Sequence, residues 1–344
     1  MFKTDRMGGL KNVNRVRQIV RKSPALRRAV APISRMKAIA LTHAPIKGPH
    51  PSFSGQGRLR AEAFASLSEY LDWKSANAEG IAAWKGAEEA ITPSDQTSFS
   101  VPGYCAVCDV RTEFLVTTDY SVSDSSGKPM PNWREQLVCP GCRMGNRVRA
   151  ALNLAVGFGM GQDSQIYITE QFGSVYRWLR GHYEHVHGSE YISPQQPSGY
   201  RRFGINHEDV QALSLQTNSV DFLLSFDVLE HIPDPRAALA SFSRVLRPGG
   251  RLVLTVPFTL EKYETTVRAA MQSDGTIEHF LPIEIHGNPL DPVNGSLCFC
   301  HFGWDTLDRL NEAGFTDTRV YVYHDAALGH LGVQSLISAV KCES

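Results

Sequence analysis

The chain has 344 residues, of which 42% are hydrophobic, and it carries 35 basic and 35 acidic residues. At roughly 150 residues per domain, this length predicts two domains, or one large domain with an appendage. The composition excludes a chain that is disordered throughout and a collagen-like chain. No stretch approaches the roughly 18 consecutive apolar residues that a membrane-spanning helix needs.

The balanced net charge hides a basic N-terminus. Residues 1–40 hold eleven of the 35 basic residues and one of the 35 acidic ones, so this part is +10 and the remainder −10. We expect a basic, partly helical arm over residues 1–60. Such an arm suits contact with a membrane surface, a nucleic acid or an acidic partner, and equally a solvated tail or one folded on the acidic body. Its arginine-rich composition also resembles an organellar presequence.

A helical segment with a polar linker is predicted next, over residues 61–98. Residues 61–92 are rich in Ala, Leu and Glu, and Phe64, Leu67 and Leu71 recur at helical spacing. The whole of 61–92 is therefore expected to be helical.

Residues 99–150 hold four of the seven cysteines, in two C-x-x-C pairs made of Cys105, Cys108, Cys139 and Cys142. Two thiolates on each of two tight turns can complete a tetrahedron around Zn²⁺, and four protein ligands make such a site structural. Buried free thiols or two redox pairs are the alternatives. Because the N-terminus lacks a secretory signal, we expect reduced cysteines and a cytoplasmic location.

Beyond residue 150, short apolar runs alternate with helical patterns, which predicts an α/β domain over 151–344 with a largely parallel sheet. The predicted strands are Ile166–Thr169, His185–Gly188, a short one near Arg202–Ile205, Val220–Ser225, Arg251–Val256, Thr318–Tyr323 and Ser335–Val340. The predicted helices are Val175–Gly181, Arg236–Leu246 and Trp304–Ala313. Asp234 and Pro235 suit the cap and first turn of the second helix, and Arg247–Gly250 is a predicted turn after it.

The segment from Ser219 to Phe258 reads SVDFLLSFDVLEHIPDPRAALASFSRVLRPGGRLVLTVPF. It resembles the fourth strand, the following helix and the fifth strand of class I S-adenosylmethionine-dependent methyltransferases of the small-molecule branch. The resemblance covers about residues 165–341. It implies a Rossmann-like seven-stranded sheet whose last strand is antiparallel. The paired C-x-x-C segment is similar to an N-terminal zinc module found in some of these enzymes.

The resemblance also implies a set of residues that bind S-adenosylmethionine. Glu190 matches the acidic residue that holds the ribose hydroxyls, and Asp209 matches the one that contacts the adenine amine. Glu170 and Asp227 match acids at the ends of the first and fourth strands. The cofactor loop departs from the family pattern, because Gly173 is alone where a G-x-G-x-G run is usual.

Methyl transfer to a hydroxyl usually needs a general base, most often a histidine. His231 follows the fourth strand, where the methyl group is expected. His286 lies in the segment after the fifth strand, which covers the acceptor in this fold. These two histidines are the candidate catalytic residues, and a structural hydrogen bond is the alternative role for each.

The predicted function is methyl transfer to a small-molecule or glycan-type acceptor by in-line displacement. A nucleic-acid methyltransferase is disfavoured, because the α/β part of the chain is acidic and would repel phosphates. A non-catalytic scaffold on the same fold is the other alternative, since the single-glycine loop departs from the family and fold alone does not establish activity. The oligomeric state stays open.

Overall fold

The computed structural model describes Pro45 and residues 57–123 and 127–343. The predicted basic arm lies outside these residues, except for Pro45 and residues 57–60. None of the helices in the described ranges has the length and apolar content needed to cross a membrane.

The N-terminal part of the described chain precedes the α/β domain. Its elements are strand β1 (Ala61–Phe64), helices α1 (Leu67–Ala76) and α2 (Ala78–Ile91), the hairpin β2 (Ser98–Cys105) and β3 (Val110–Thr117), and helix α3 (Asn146–Gly157). The α/β part follows with β4 (Ile166–Ile168), α4 (Ser174–His182), β5 (Val186–Gly188), β6 (Val220–Phe226), α5 (Pro235–Val245), β7 (Leu246–Thr255), α6 (Asp305–Glu312), β8 (Phe315–Asp325) and β9 (His330–Lys341).

Seven strands form one mixed sheet in the order β1-β8-β9-β7-β6-β4-β5. Strands β7, β6, β4 and β5 are parallel neighbours, and the last strand, β9, runs antiparallel to β7. This confirms the predicted α/β fold with a seven-stranded sheet and an antiparallel last strand. The carboxyl ends of the four parallel strands meet at one edge of the sheet, where open parallel sheets bind their ligands.

The predicted helix over 61–92 is wrong at its start. Residues 61–64 form β1, which pairs antiparallel with β8 from Ala61 opposite Tyr323 to Phe64 opposite Val320. The helix begins only at Leu67, because the Ser66 hydroxyl accepts a hydrogen bond from the amide of Glu69 and the Glu69 carboxylate accepts one from the amide of Ala65. This Ser-x-x-Glu arrangement is a variant of the capping box, in which the glutamate binds the amide one residue before the cap, and it fixes the start of the helix.

The predicted strand near Arg202–Ile205 is not part of the large sheet. It is a small hairpin in which Arg201–Arg202 pairs with Ile205–Asn206. Phe203 and Gly204, the two residues between them, both have positive φ, as tight hairpin turns require. Among the described residues, β5 is therefore the edge of the sheet on this side, and only an isolated bridge between Glu190 and His207 extends it.

The predicted turn at Arg247–Gly250 lies within β7 as an irregularity. The pairing of β6 with β7 jumps from Val220–Leu246 to Phe222–Arg251, so the intervening residues leave the ladder. Strands β8 and β9 are longer than predicted, and the other strand and helix ends differ by a few residues. These shifts do not change the topology.

Helices cover both faces of the sheet, and the side chains of its strands alternate between two cores. Along β6, Phe222 and Leu224 pack in the core that contains α3 and α4, whereas Leu223 packs in the core that contains α5 and α6. The first core also includes the cysteines at positions 105, 139 and 142. The cysteine segment, residues 99–150, thus shares a hydrophobic core with the parallel strands.

An insertion lies between β7 and α6, over residues 256–304. It contains three small two-stranded pairings, one of which joins Ile285–His286 to Ser296–Leu297. The amide of Phe299 donates a hydrogen bond of 2.6 Å to the carbonyl of Glu230, just after β6. The insertion is therefore fastened to the carboxyl edge of the sheet.

Candidate functional site

The four predicted cysteine ligands come together in one cluster. The Sγ atoms of Cys105 and Cys142 are 3.9 Å apart, and those of Cys108 and Cys139 are 3.8 Å apart. All four sulfur atoms lie within 4.8 Å of one another. A tetrahedron of sulfur ligands at about 2.3 Å from Zn²⁺ has edges of about 3.8 Å. The cluster therefore has the dimensions of a structural zinc site.

The cysteine segment also places two arginines at the carboxyl edge of the sheet. Arg134 precedes Cys139, and Arg147 lies in the first turn of α3, shortly after Cys142. The guanidinium of Arg134 donates two hydrogen bonds of 2.6 Å to the two carboxylate oxygens of Asp227, the residue after β6. Nε of Arg147 lies 3.2 Å from Oδ2 of the same carboxylate. Planar bidentate pairs of this kind combine strength with a fixed geometry.

Asp227 is further held by Thr255, whose hydroxyl donates to its Oδ1 at 2.9 Å. Burial alone would raise the pKa of Asp227, but the charges of Arg147 and Arg134 outweigh burial and keep that pKa well below its usual range. The carboxylate is therefore ionised at neutral pH and saturated by protein donors. Its predicted contact with a cofactor stays a prediction, and any such contact has to coexist with these ion pairs.

Glu170 and Glu190 follow the neighbouring strands β4 and β5 at the same edge. Oε1 of Glu190 accepts hydrogen bonds from the amides of Gln171 at 2.6 Å and Phe172 at 2.8 Å, so it anchors the loop after β4. Burial raises the pKa of Glu190 to about 7, although these amide bonds oppose the rise. Burial and the nearby charge of Glu190 raise the pKa of Glu170 to about 8. The two carboxyl groups thus form a partly protonated acidic pair.

Gly173 precedes the first residue of α4 and has φ +113°. A Cβ at this position would lie 2.9 Å from Oε1 of Glu170, so a larger residue would be strained and crowded. The loop thus keeps a glycine at its tightest point, although the family's other glycines are absent. Asp209 lies farther along the edge, where it caps a short 3₁₀ turn by accepting from the amide of Gln211 at 2.9 Å. This is a structural role, and its predicted adenine contact stays a prediction.

The two candidate catalytic histidines are brought together. His231 ends a 3₁₀ turn after β6, His286 lies in the insertion, and their rings meet edge to face with centroids 4.9 Å apart. Nδ1 of His231 lies 2.8 Å from the carbonyl of Leu297, and Nε2 of His286 lies 2.9 Å from Oε1 of Glu284. Burial lowers the pKa of His231, so its ring is neutral and able to accept a proton at neutral pH.

Sequence reasoning missed several residues of this edge. Arg134 and Arg147 gave no local signal, because they are 93 and 80 positions away from Asp227 along the chain. Glu230, adjacent to His231, is fully buried beneath the two histidines. Its position next to His231 in the stretch Leu229–Asp234 is the signal that could have pointed to it.

Comparison with known proteins gives one family match. Residues 156–254 match the family described as "Methyltransferase domain". This range runs from the end of α3 into β7 and includes Glu170, Glu190, Asp209 and Asp227. Residues 156–254 are therefore similar to methyltransferase domains.

The domain is similar to proteins that it matches only in part. An uncharacterized 37.1 kDa protein of a Streptomyces fradiae transposon is 49% identical over 49 residues, or 14% of either chain. A ubiquinone biosynthesis O-methyltransferase of Xanthomonas oryzae is 35% identical over 71 residues, which are 21% of this chain and 28% of that protein. The matched regions thus span less than a third of either relative. A solved methyltransferase from Mesorhizobium loti is 19% identical, and the alignment covers 56% of this chain and 98% of that one with a TM-score of 0.35.

The cysteine cluster predicts one structural zinc ion next to the α/β domain. Metal analysis of the purified chain should find at least one Zn²⁺ per molecule, and Cys139→Ser should hold one equivalent fewer, because three thiolates bind zinc much more weakly than four. Cys342→Ser is the matched control, since Cys342 lies outside the cluster. An unchanged zinc content in Cys139→Ser would refute the site.

The raised pKa of Glu170 predicts a pH-dependent stability. The folded state holds this proton between the ordinary pKa of 4.5 and about 8, so the contribution of Glu170 to stability declines as pH rises through that window. Without ligand at pH 8, Glu170→Gln should therefore be more stable than the unmodified chain, by on the order of 1–2 kcal/mol after allowance for partial solvent access. Thermal unfolding should show the gain shrinking toward pH 5. Glu184→Gln, an exposed position, should show no such trend, and a gain that is constant with pH would contradict the assignment.

Proposed function

We propose that the chain is an S-adenosylmethionine-dependent methyltransferase that acts on a small-molecule or glycan-type acceptor. The observation that carries the proposal is the position of Glu190 at the end of β5, with one carboxylate oxygen tying down the loop after β4. No described residue donates a hydrogen bond to its other oxygen. That arrangement suits a carboxylate that receives the two hydroxyls of a ribose.

The remaining residues of the edge fit the other parts of the cofactor. When bound, S-adenosylmethionine supplies an electrophilic methyl group on a positively charged sulfur. Glu170 lies at the same edge and would ionise beside a bound cation, and Gly173 is the residue that precedes the start of α4. Asp209 is the candidate partner of the adenine amine. Arg134 and Arg147, which both contact Asp227, are the candidate partners of the carboxylate in the methionine part.

The acceptor would enter from the side of the insertion. His231 and His286 line this side, and either imidazole would accept the proton that a hydroxyl loses as its oxygen takes the methyl group. In-line displacement itself needs mainly the alignment of the two reactants. The similarity to an O-methyltransferase of Xanthomonas oryzae supports oxygen as the methylated atom.

A non-catalytic binding protein on the same fold is the second candidate. The observation that favours it is the saturation of Asp227 by Arg134, Arg147 and Thr255, in a loop that keeps a single glycine of the family pattern. Failure of the folded, zinc-replete chain to bind the cofactor would favour this candidate.

The role of Glu190 is tested by calorimetric titration with S-adenosylhomocysteine. Glu190→Ala should weaken binding by about ten- to a hundredfold, because the ribose hydroxyls lose their charged acceptor and the loop at Gln171 and Phe172 loses its anchor. Glu190→Gln should recover part of the loss, since its amide oxygen still accepts from the loop. Glu184→Ala, an exposed glutamate before β5, serves as the control. Unchanged affinity in Glu190→Ala would remove Glu190 from the cofactor site.

A further inference from the structure

The Glu230 side chain is buried without hydrogen-bond partners. Its relative exposure is 0%, and neither carboxylate oxygen accepts a hydrogen bond within the described part of the chain. Buried carboxylates are normally paired, hydrogen-bonded or bound to a metal, because an isolated buried charge is very unfavourable. Glu230 therefore lacks, among the described residues, a hydrogen-bond partner that would stabilise a carboxylate at this buried position.

Two imidazole nitrogens face this carboxylate. Nε2 of His231 lies 3.9 Å from Oε1 of Glu230, and Nδ1 of His286 lies 3.8 Å from the same oxygen. Both distances are too long for a hydrogen bond. Each distance fits a nitrogen and an oxygen bound to the same ion, since metal–nitrogen and metal–oxygen distances of about 2.0–2.2 Å allow two ligand atoms to lie up to about 4.2 Å apart.

The other nitrogen of each ring has a hydrogen-bond partner, as is usual for histidines that bind a metal. The Leu297 carbonyl holds Nδ1 of His231, and the Glu284 carboxylate holds Nε2 of His286. These contacts leave Nε2 of His231 and Nδ1 of His286, the two atoms that face Glu230, as lone-pair donors. Outer partners of this kind fix the ring orientation and tautomer of metal ligands.

Neighbouring groups are less suitable for an ion. Glu284, Cys298 and His301 also lie close together. There, however, Oε1 of Glu284 is hydrogen-bonded to both His301 at 2.8 Å and His286 at 2.9 Å, so an ion would have to break existing contacts. Asp227 is occupied by its arginines. Among the described residues, only the group around Glu230 combines an unpartnered buried carboxylate with free nitrogen donors.

We propose that Glu230, His231 and His286 bind a divalent transition-metal cation. Two imidazoles and one carboxylate suit Zn²⁺, Fe²⁺, Co²⁺ or Mn²⁺, and three protein ligands leave at least one position open for an outside ligand. Binding of the cation does not depend on the proposed function. Its use does: in a methyltransferase the open position would hold the acceptor's oxygen beside the methyl group, and the two histidines would act as ligands rather than as bases.

The test is a titration of the full chain with Co²⁺, after its zinc content has been set to one equivalent by dialysis. Co²⁺ bound by nitrogen and oxygen gives visible absorption without the strong near-ultraviolet band of a cobalt–thiolate bond, so uptake here is distinguished from exchange into the cysteine cluster. The expected result is one additional Co²⁺ per chain and a rise in the melting temperature. Glu230→Gln and His286→Ala should lose the additional Co²⁺ and the rise in melting temperature. Glu284→Gln should weaken Co²⁺ binding about ten- to a hundredfold.

His279→Ala is the matched control, because His279 is an exposed histidine of the same insertion. It should bind Co²⁺ as the unmodified chain does. Glu230→Gln keeps the size of the side chain and breaks no hydrogen bond of the carboxylate among the described residues. It should therefore stay folded without cobalt, which separates loss of the site from loss of folding. Absence of additional cobalt in the unmodified chain would overturn the proposal, as would equal uptake by folded Glu230→Gln. Because cofactor binding is measured separately, neither result depends on the methyltransferase proposal.

Discussion

The pairing of Arg134 and Arg147 with Asp227 is the interaction on which the candidate site depends. It joins the cysteine segment to the carboxyl end of β6, and Glu135 completes it by bridging the two guanidiniums at 2.6 and 2.8 Å. Four charged groups in a partly buried network hold one another only in a narrow range of geometries. Cys139 and Cys142 of the cluster lie between Arg134 and Arg147 along the chain, so the cluster constrains the positions of both arginines. A structural metal would thereby act on the site without contacting it.

The acids at this edge differ in protonation because their partners differ. Asp227 is bound by two arginines and has a lowered pKa, whereas burial raises the pKa of Glu170 to about 8 and that of Glu190 to about 7. A positively charged ligand placed between them would favour their ionised forms. Carboxyl groups with shifted pKa values cluster at functional sites, so Glu170 and Glu190 mark this edge as a candidate binding site.

The parallel strands and the cysteine cluster were predictable from local sequence patterns. The parallel strands are apolar runs between turn signals, and the paired C-x-x-C motifs brought four sulfurs to zinc-like distances. The start of the helical segment was missed because the capping box at Ser66 and Glu69 was overlooked and because β1 is stabilised by pairing with β8, which is more than 250 residues away. The arginines on Asp227 and the buried partner of the two histidines are likewise products of tertiary contact. The spacing of residues along the sequence does not predict such contacts, because the residues involved meet only in the folded chain.

The central claim is that the carboxyl edge of this sheet, with one glycine in its loop, binds the methyl donor. The most direct measurement is the calorimetric titration of the folded, zinc-replete chain with S-adenosylmethionine and with S-adenosylhomocysteine. The account predicts micromolar binding of both at one equivalent per chain. Absence of binding at millimolar concentrations would contradict it, and Glu170, Glu190, Asp209 and Asp227 would then be structural acids of a binding protein.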